Sequence, residues 1–405
     1  MSTKIINPFK PSAGRMPPIL VGRDNIIEDF RDGLDEEAGS PFRLMRITGP
    51  RGVGKTVMLI EFRRIAEQQG WVTISENAYA GLTDRLLYRI TDIDRRQAGD
   101  IDLTIEPSAK AFGVEAKLGS LSIHHKQQSP QLRDALENLT RRLNKKGKGL
   151  LITLDEAQAI ETPDLRDIAN AVQNLNENDL DFAFVFAGLP SIASVWINDK
   201  ATTFIRRATP EQLGEVPLIE VSNALADSFA NTHMTLTGEA LRTATESTAG
   251  YPFLIQLVGF YIWRAAYRNH NRTLPVTVTQ RDAEEGVKAA LTRLGDTIHG
   301  PELDGLSPID KTYLLAMAQD DGPSSTSDIA DRMGKTKEYA NVYRTRLLDA
   351  QTIKTVGYGQ VDFAIPYLRE YLREHGAFMR MTLDLTPEER NERTVWPAQN
   401  AGIRS

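Results

Sequence analysis

The sequence predicts an α/β fold with a doubly wound parallel sheet, followed by a helical domain and a winged helix. Three observations predict it. Short apolar strands alternate with helical stretches between residues 43 and 221. Residues 222–300 carry helical periodicity throughout. From Leu306 onward, a helix–turn–helix pattern is followed by two short strands.

The elements follow in chain order. Residues 1–17 contain Pro8, Pro11, Gly14 and Pro17 and read as a flexible, extended arm. The α/β domain is predicted over 18–221. Its first helix places Ile26, Ile27, Phe30 and Leu34 on one face, with Asp24 or Asn25 as N-cap. Arg43–Thr48 reads as a strand, 56–69 as a helix that stops at Gly70, and Trp71–Ser75 as a second strand. Gly149–Leu154 and Asp181–Ala187 are continuous apolar runs, as buried parallel strands require. Val216–Val221 reads as a fifth strand, at an edge because Pro217 cannot donate a ladder hydrogen bond. Residues 100–130 are rich in Gly, Ser and Lys and read as a surface hairpin or mobile insertion.

The helical domain is predicted over 222–300, with helices near 223–231, 237–248, 252–268 and 281–294. The winged helix is predicted over 301–375. Its helices are 308–319, 327–333 and 337–349, and its strands are 353–356 and 361–364 with Gly357 and Gly359 between. Residues 376–405 read as a flexible tail.

Composition bounds the chemistry. A chain of 405 residues suits two or three domains. The net charge of −6 means that any nucleic-acid site must be a local basic patch. The absence of cysteine excludes disulfides, thiolate zinc sites and cysteine nucleophiles, and fits a cytoplasmic location. No apolar run reaches the roughly 18 residues of a spanning helix, and no secretory leader is expected.

Two motifs carry chemistry. The first is Gly49-Pro50-Arg51-Gly52-Val53-Gly54-Lys55-Thr56, continued by Val57. Its glycines let backbone N–H groups wrap around phosphate oxygens, and it runs into a helix N-terminus, which favours anions. Lys55 places a cation on the β- and γ-oxygens of ATP, and the Thr56 hydroxyl offers a Mg²⁺ ligand. The second motif is Leu151-Ile152-Thr153-Leu154-Asp155-Glu156. It delivers two carboxylates to the C-terminal end of a buried strand, where ligands of such sheets bind. Asp155 is the expected metal ligand, and Glu156 the residue that orients and deprotonates the attacking water. ATP or ADP and Mg²⁺ are therefore the expected cofactors.

These motifs resemble those of P-loop NTPases of the AAA+ type, in the group with an extra strand between the two motifs. Within that group the sequence is similar to the origin-recognition (initiator)-like ATPases and to the STAND signalling ATPases. The resemblance spans about residues 15–375. It implies ATP hydrolysis, with the 222–300 domain as a lid; the two departures given below point to slow, regulatory turnover. It implies that Val21 and Arg23 lie near the adenine, and that Gly250-Tyr251-Pro252 opens the lid helix on the nucleotide. It makes Arg206 or Arg207 a γ-phosphate sensor or arginine finger, in cis or in trans; a solvated surface pair is the other reading. Two departures stand out. The segment Gly188-Leu189-Pro190-Ser191 lacks the usual Asn sensor, leaving Ser191 as the substitute. Phe253–Val258 holds no basic residue where an AAA+ lid arginine is expected.

The winged helix has two readings. Lys335, Lys337, Tyr339, Asn341 and Arg344 at its second motif helix offer phosphate or base-edge contacts to double-stranded DNA. Residues 303–375, however, hold nine basic and eleven acidic side chains. That balance leaves an autoinhibitory or protein-docking role open. His124-His125 reads as solvated loop, the aromatic residues of 251–263 as core, and the basic run Arg141–Lys148 as a solvated helix end.

Overall fold

Strands covered on both faces need uninterrupted apolar sequence, and two segments supply it. In the computed structural model, strand β3 (Leu150–Asp155) is buried up to Asp155 and β4 (Phe182–Gly188) is buried throughout. The structure describes residues 6–12, 16, 17, 20–98, 131–190, 192, 196, 202 and 204–383. The predicted insertion 100–130 and Ser191 lie outside the described residues, as does the predicted tail beyond Leu383.

The chain divides into two compact units. One comprises Arg23–Thr48 and Lys55–Gln212. It opens with helix α1 (Asp24–Asp35), whose buried face is Ile27, Phe30, Gly33 and Leu34. Strand β1 (Leu44–Thr48), helix α2 (Lys55–Gln68), strand β2 (Val72–Asn77) and helix α3 (Leu82–Ala98) follow. Helix α4 (Leu132–Asn144) precedes β3, and α5 (Thr162–Glu177) lies between β3 and β4. A short strand, β5 (Thr209–Gln212), ends the unit. The five strands form one parallel sheet in the order β2-β3-β4-β1-β5. Strand β4 therefore separates the strands that carry the two motifs, as the resemblance implies. The register pairs Thr48 with Gly188 and Asp155 with Asn77, so the carboxyl ends of β1, β2, β3 and β4 lie along one edge.

The fifth strand is not the predicted one. Residues Leu218–Ala230 form a helix with Pro217 at its N-cap. Val221, Ala224, Leu225 and Phe229 are buried in it at helical spacing. A six-residue apolar window cannot distinguish a strand from the first turns of such a helix. The edge strand is β5, and it too contains a proline, Pro210, with β1 as its strand partner.

The other unit comprises Met1–Gly22, Gly49–Gly54 and Leu213–Ser405. After Leu218–Ala230 come β6 (Met234–Leu236), helices Gly238–Glu246 and Pro252–Asn269, β7 (Val276–Val278) and helix Gln280–Leu294. β6 and β7 pair in parallel. The predicted flexible arm is anchored at Phe9, which is 3% exposed and packs on Phe229 with ring centroids 5.3 Å apart. Hydrogen bonds on either side of Phe9 add to this anchor: Asn7 Nδ2 donates to the Phe260 carbonyl at 3.0 Å, and the Lys10 N–H donates to Gln256 Oε1 at 3.2 Å.

Helices Pro308–Met317, Thr326–Arg332 and Lys337–Asp349 then surround a small apolar core that includes Tyr313, Leu314, Ile329, Leu347 and Ile353. Strand β8 (Ser324–Ser325) joins the hairpin of β9 (Ile353–Gly357) and β10 (Gln360–Phe363) in an antiparallel sheet ordered β8-β10-β9. The last helix runs from Leu368 to Leu383, past the predicted start of the tail at residue 376.

Candidate functional site

Helix α2 begins at Lys55, so Lys55 and Thr56 occupy its first turn, the positive end of the helix dipole. The Lys55 side chain lies in a largely buried position. Thr56 Oγ1 donates to Asp155 Oδ2 at 2.6 Å. Asp155 Oδ1 accepts the Glu156 N–H at 2.8 Å. The predicted metal pair therefore meets, although the two residues are 99 positions apart in sequence. A hydroxyl and a carboxylate are hard oxygen donors, which suits Mg²⁺. Among the described residues no cluster of three or more His, Asp or Glu could hold a metal.

Glu156 follows in a left-handed conformation, with φ of 54°. That sharp turn ends β3 and leads into a tight turn at Ala157–Ala159. The turn is anchored by the buried Ala157, whose carbonyl accepts from Trp196 Nε1 at 3.2 Å. Trp196 in turn stacks on Phe186 of β4 at 4.3 Å. Gln158 projects from the same turn. Its Nε2 donates to Glu156 Oε2 at 2.5 Å, and its Oε1 accepts the Leu189 N–H at 3.0 Å.

In the other unit, the loop Gly49–Gly54 is held from outside. Gly52 adopts φ of 77°, and a Cβ there would stand 2.4 Å from the Tyr251 hydroxyl, so no larger residue fits. Tyr251 Oη donates to the carbonyl of Arg51, and the Phe253 N–H donates to the carbonyl of Gly52 at 3.2 Å. In a trans peptide the carbonyl and the following N–H point in opposite directions. The N–H groups of Gly52 and Val53 are thereby aimed away from the helix that starts at Pro252. Burial, and then the Glu302 carboxylate, push the Tyr251 phenol well above its ordinary pKa, so it stays protonated and keeps donating.

The Arg51 side chain makes a second link. Its Nη1 lies 2.7 Å from Glu302 Oε2, and Glu302 Oε1 accepts from Thr352 Oγ1 at 3.0 Å. Glu302 is 7% exposed and Thr352 fully buried, just ahead of β9. Lys354 of β9 also pairs with Glu215 at 2.9 Å. One side chain of the loop is thus connected through one carboxylate to the C-terminal hairpin.

The remaining predicted residues are placed as follows. Gly49, Pro50, Val53 and Gly54 complete the loop, and Val57 lies half-buried on α2. Val21 is half-buried, and Arg23 holds the N-cap position of α1 that Asp24 or Asn25 was expected to take. Pro252 is the first residue of its helix. Arg206 and Arg207 are exposed on a single turn, Ile205–Arg207, before β5. Lys335, Lys337 and Asn341 are exposed around the Lys337–Asp349 helix, while Tyr339 and Arg344 are half-buried there. Arg346, one turn further on, is turned back onto the buried Asp310 at 3.1 Å. Tyr358, at the hairpin tip, is fully exposed.

Sequence reasoning misses three residues that make these contacts. Gln158 was visible in the Asp-Glu-Ala-Gln run, as was Tyr251 in Gly-Tyr-Pro, which was read as helix start and core. Glu302 has no local signal at all.

Residues 19–185 match the family model described as AAA ATPase domain. Residues 296–372 match the model described as Domain of unknown function (DUF8462). The chain is similar in structure to the Walker-type ATPase PABY2304 of Pyrococcus abyssi, at 18% identity and a TM-score of 0.62, over 87% of this chain and 96% of that one. It is also similar to the Aeropyrum pernix ORC2 protein, solved as ADPNP-ADP complexes, at 14% identity and a TM-score of 0.59, over 92% of this chain and 98% of that one. At these identities the likeness is one of fold. A search among curated proteins found no match. No described helix is long and apolar enough to cross a membrane.

Proposed function

The chain carries an AAA+-type P-loop ATPase domain with an origin-recognition-like fold, and from this premise we propose that it binds and slowly hydrolyses ATP to control its C-terminal module. The observation that carries the proposal is the 2.6 Å contact of Thr56 with Asp155, with Glu156 next in the chain. Lys55 and the loop N–H groups bind the β- and γ-phosphates. Thr56 and Asp155 would hold Mg²⁺, whose charge offsets that of the phosphates. Glu156 takes the proton of the attacking water. Arg206 or Arg207 stabilises charge on the transferring phosphoryl group. Val21 and Arg23 are assigned to the adenine, and Pro252 to packing on the nucleotide. The lack of a basic residue in Phe253–Val258 supports a slow, regulatory enzyme rather than a motor.

In this reading the elements from Pro308 to Phe363 form a winged helix that binds double-stranded DNA. Lys335, Lys337, Tyr339, Asn341 and Arg344 meet phosphates and base edges. A salt titration of duplex binding tests it. Each of Lys337→Ala and Arg344→Ala is expected to weaken binding to all sequences alike, and to reduce the salt slope by about one. No binding at low salt, or unchanged slopes in both variants, would sink the DNA assignment.

A second reading is favoured by the Arg51–Glu302–Thr352 connection. Here the C-terminal module is an autoinhibitory or docking element of a STAND-like switch, and Glu302 ties it to the phosphate loop. Arg51 is largely exposed, so solvent weakens its pair with Glu302. Glu302→Gln keeps the shape and removes the charge. The expected result is ADP release faster on the order of tenfold, measured by stopped-flow with a fluorescent nucleotide. Hydrogen exchange around Thr352 should rise with it. Unaltered release and exchange would show that the connection is structural only.

A further inference from the structure

We propose that Gln158 is the positioning residue of Glu156 and takes the place of the Asn sensor that the sequence lacks at the end of β4. The proposal rests on the ATPase reading above. A side-chain amide has a donor end and an acceptor end. At Gln158 the two ends meet complementary groups: the carboxylate of Glu156 at Nε2, and the backbone N–H of Leu189 at Oε1. Reversing the amide would set acceptor against acceptor and donor against donor, so its orientation is chemically determined.

The surroundings are built around this bridge. Gly188 leaves room for it, since a Cβ there would stand 2.4 Å from Gln158 Oε1. The turn that carries Gln158 is closed by the Ala159 N–H, which donates to the Glu156 carbonyl at 2.8 Å. Trp196 holds the same turn from the other side through the Ala157 carbonyl. The donated hydrogen bond thereby restrains the Glu156 carboxylate. Because the amide spans from β3 to β4, a shift of the Gly188–Pro190 segment is transmitted to Glu156. The polar sensor expected on β4 is thus supplied from the turn after β3.

The test is steady-state ATPase kinetics of the full chain with two variants. Gln158→Leu is expected to lower kcat on the order of tenfold, with KM and the affinity for a fluorescent ATP analogue little changed. Gln158→Glu sets two carboxylates together, so kcat at pH 8 falls at least as far. As pH falls toward about 5, the introduced carboxyl protonates and can again donate to Glu156 while accepting from Leu189. Its activity relative to the wild-type chain should therefore recover toward acid, while that of Gln158→Leu stays flat. A merely structural role would move melting temperature and KM but would not produce this recovery. If Glu156→Gln loses turnover while Gln158→Leu keeps it, the positioning role is overturned and the ATPase reading stands. A kcat that rises in Gln158→Leu overturns it as well. No turnover in the wild-type chain removes both. Should Gln158→Leu not fold, the acid recovery of the near-isosteric Gln158→Glu decides alone, and its absence overturns the proposal.

Discussion

Glu156→Gln is expected to bind ATP with near wild-type affinity and to turn it over on the order of 10²- to 10⁴-fold more slowly. The substitution is close to isosteric. The glutamine carbonyl can still accept from Gln158, and the backbone N–H of residue 156 can still donate to Asp155 Oδ1. The local geometry is therefore kept, and only the ability to take a proton is lost. The check combines single-turnover hydrolysis with an equilibrium titration of a fluorescent ATP analogue. Slow turnover with intact binding assigns Glu156 to the chemical step. Unchanged turnover would remove Glu156 from that role and mean that another group activates the water.

Lys55→Ala is expected to lower ATP affinity by about 10- to 100-fold, the effect of losing one charge-assisted contact to phosphate. Lys55 is only 8% exposed, so water screens it poorly and is not expected to replace it fully. The loop N–H groups remain, which is why some affinity persists. Isothermal titration with ATP and Mg²⁺, alongside a melting curve to show that the variant is folded, measures the effect. Retained tight binding in a folded variant would refute the loop assignment.

The site was legible where its chemistry sits on contiguous residues. Thr56 and Asp155 were each identified from their own motif, and each motif owes its form to its own strand and turn. Their contact follows once β1 and β3 share a parallel sheet, because the carboxyl ends of such strands lie along one edge. The helix–turn–helix and hairpin after Leu306 were legible for the same reason, since their turns and periodicities are local.

The groups that hold the site were less legible. Arg51 and Glu302 are 251 positions apart, and Tyr251 reaches the carbonyl of a residue 200 positions away. Nothing in the neighbourhood of Glu302 distinguishes it from a solvated acid on a short helix. Its burial came from the packing of the C-terminal helices and hairpin, which no window of sequence contains. Tyr251 was read as core, and its ring is core, but the hydroxyl at its tip is a polar anchor. Val216–Val221 failed in the opposite sense: a short apolar run fits either period, and the burial of Ala224, Leu225 and Phe229 selected the helix.

By itself, the sequence determined the phosphate loop, the paired carboxylates and the alternation of strands and helices, because backbone freedom and apolar periodicity act between near neighbours. Only the tertiary structure decided which strand closes the sheet, that Gln158 grips Glu156, and that Arg51 answers to Glu302. Those contacts depend on where distant segments pack, and a hydrogen bond or ion pair forms only after packing has brought its two ends within about 3 Å.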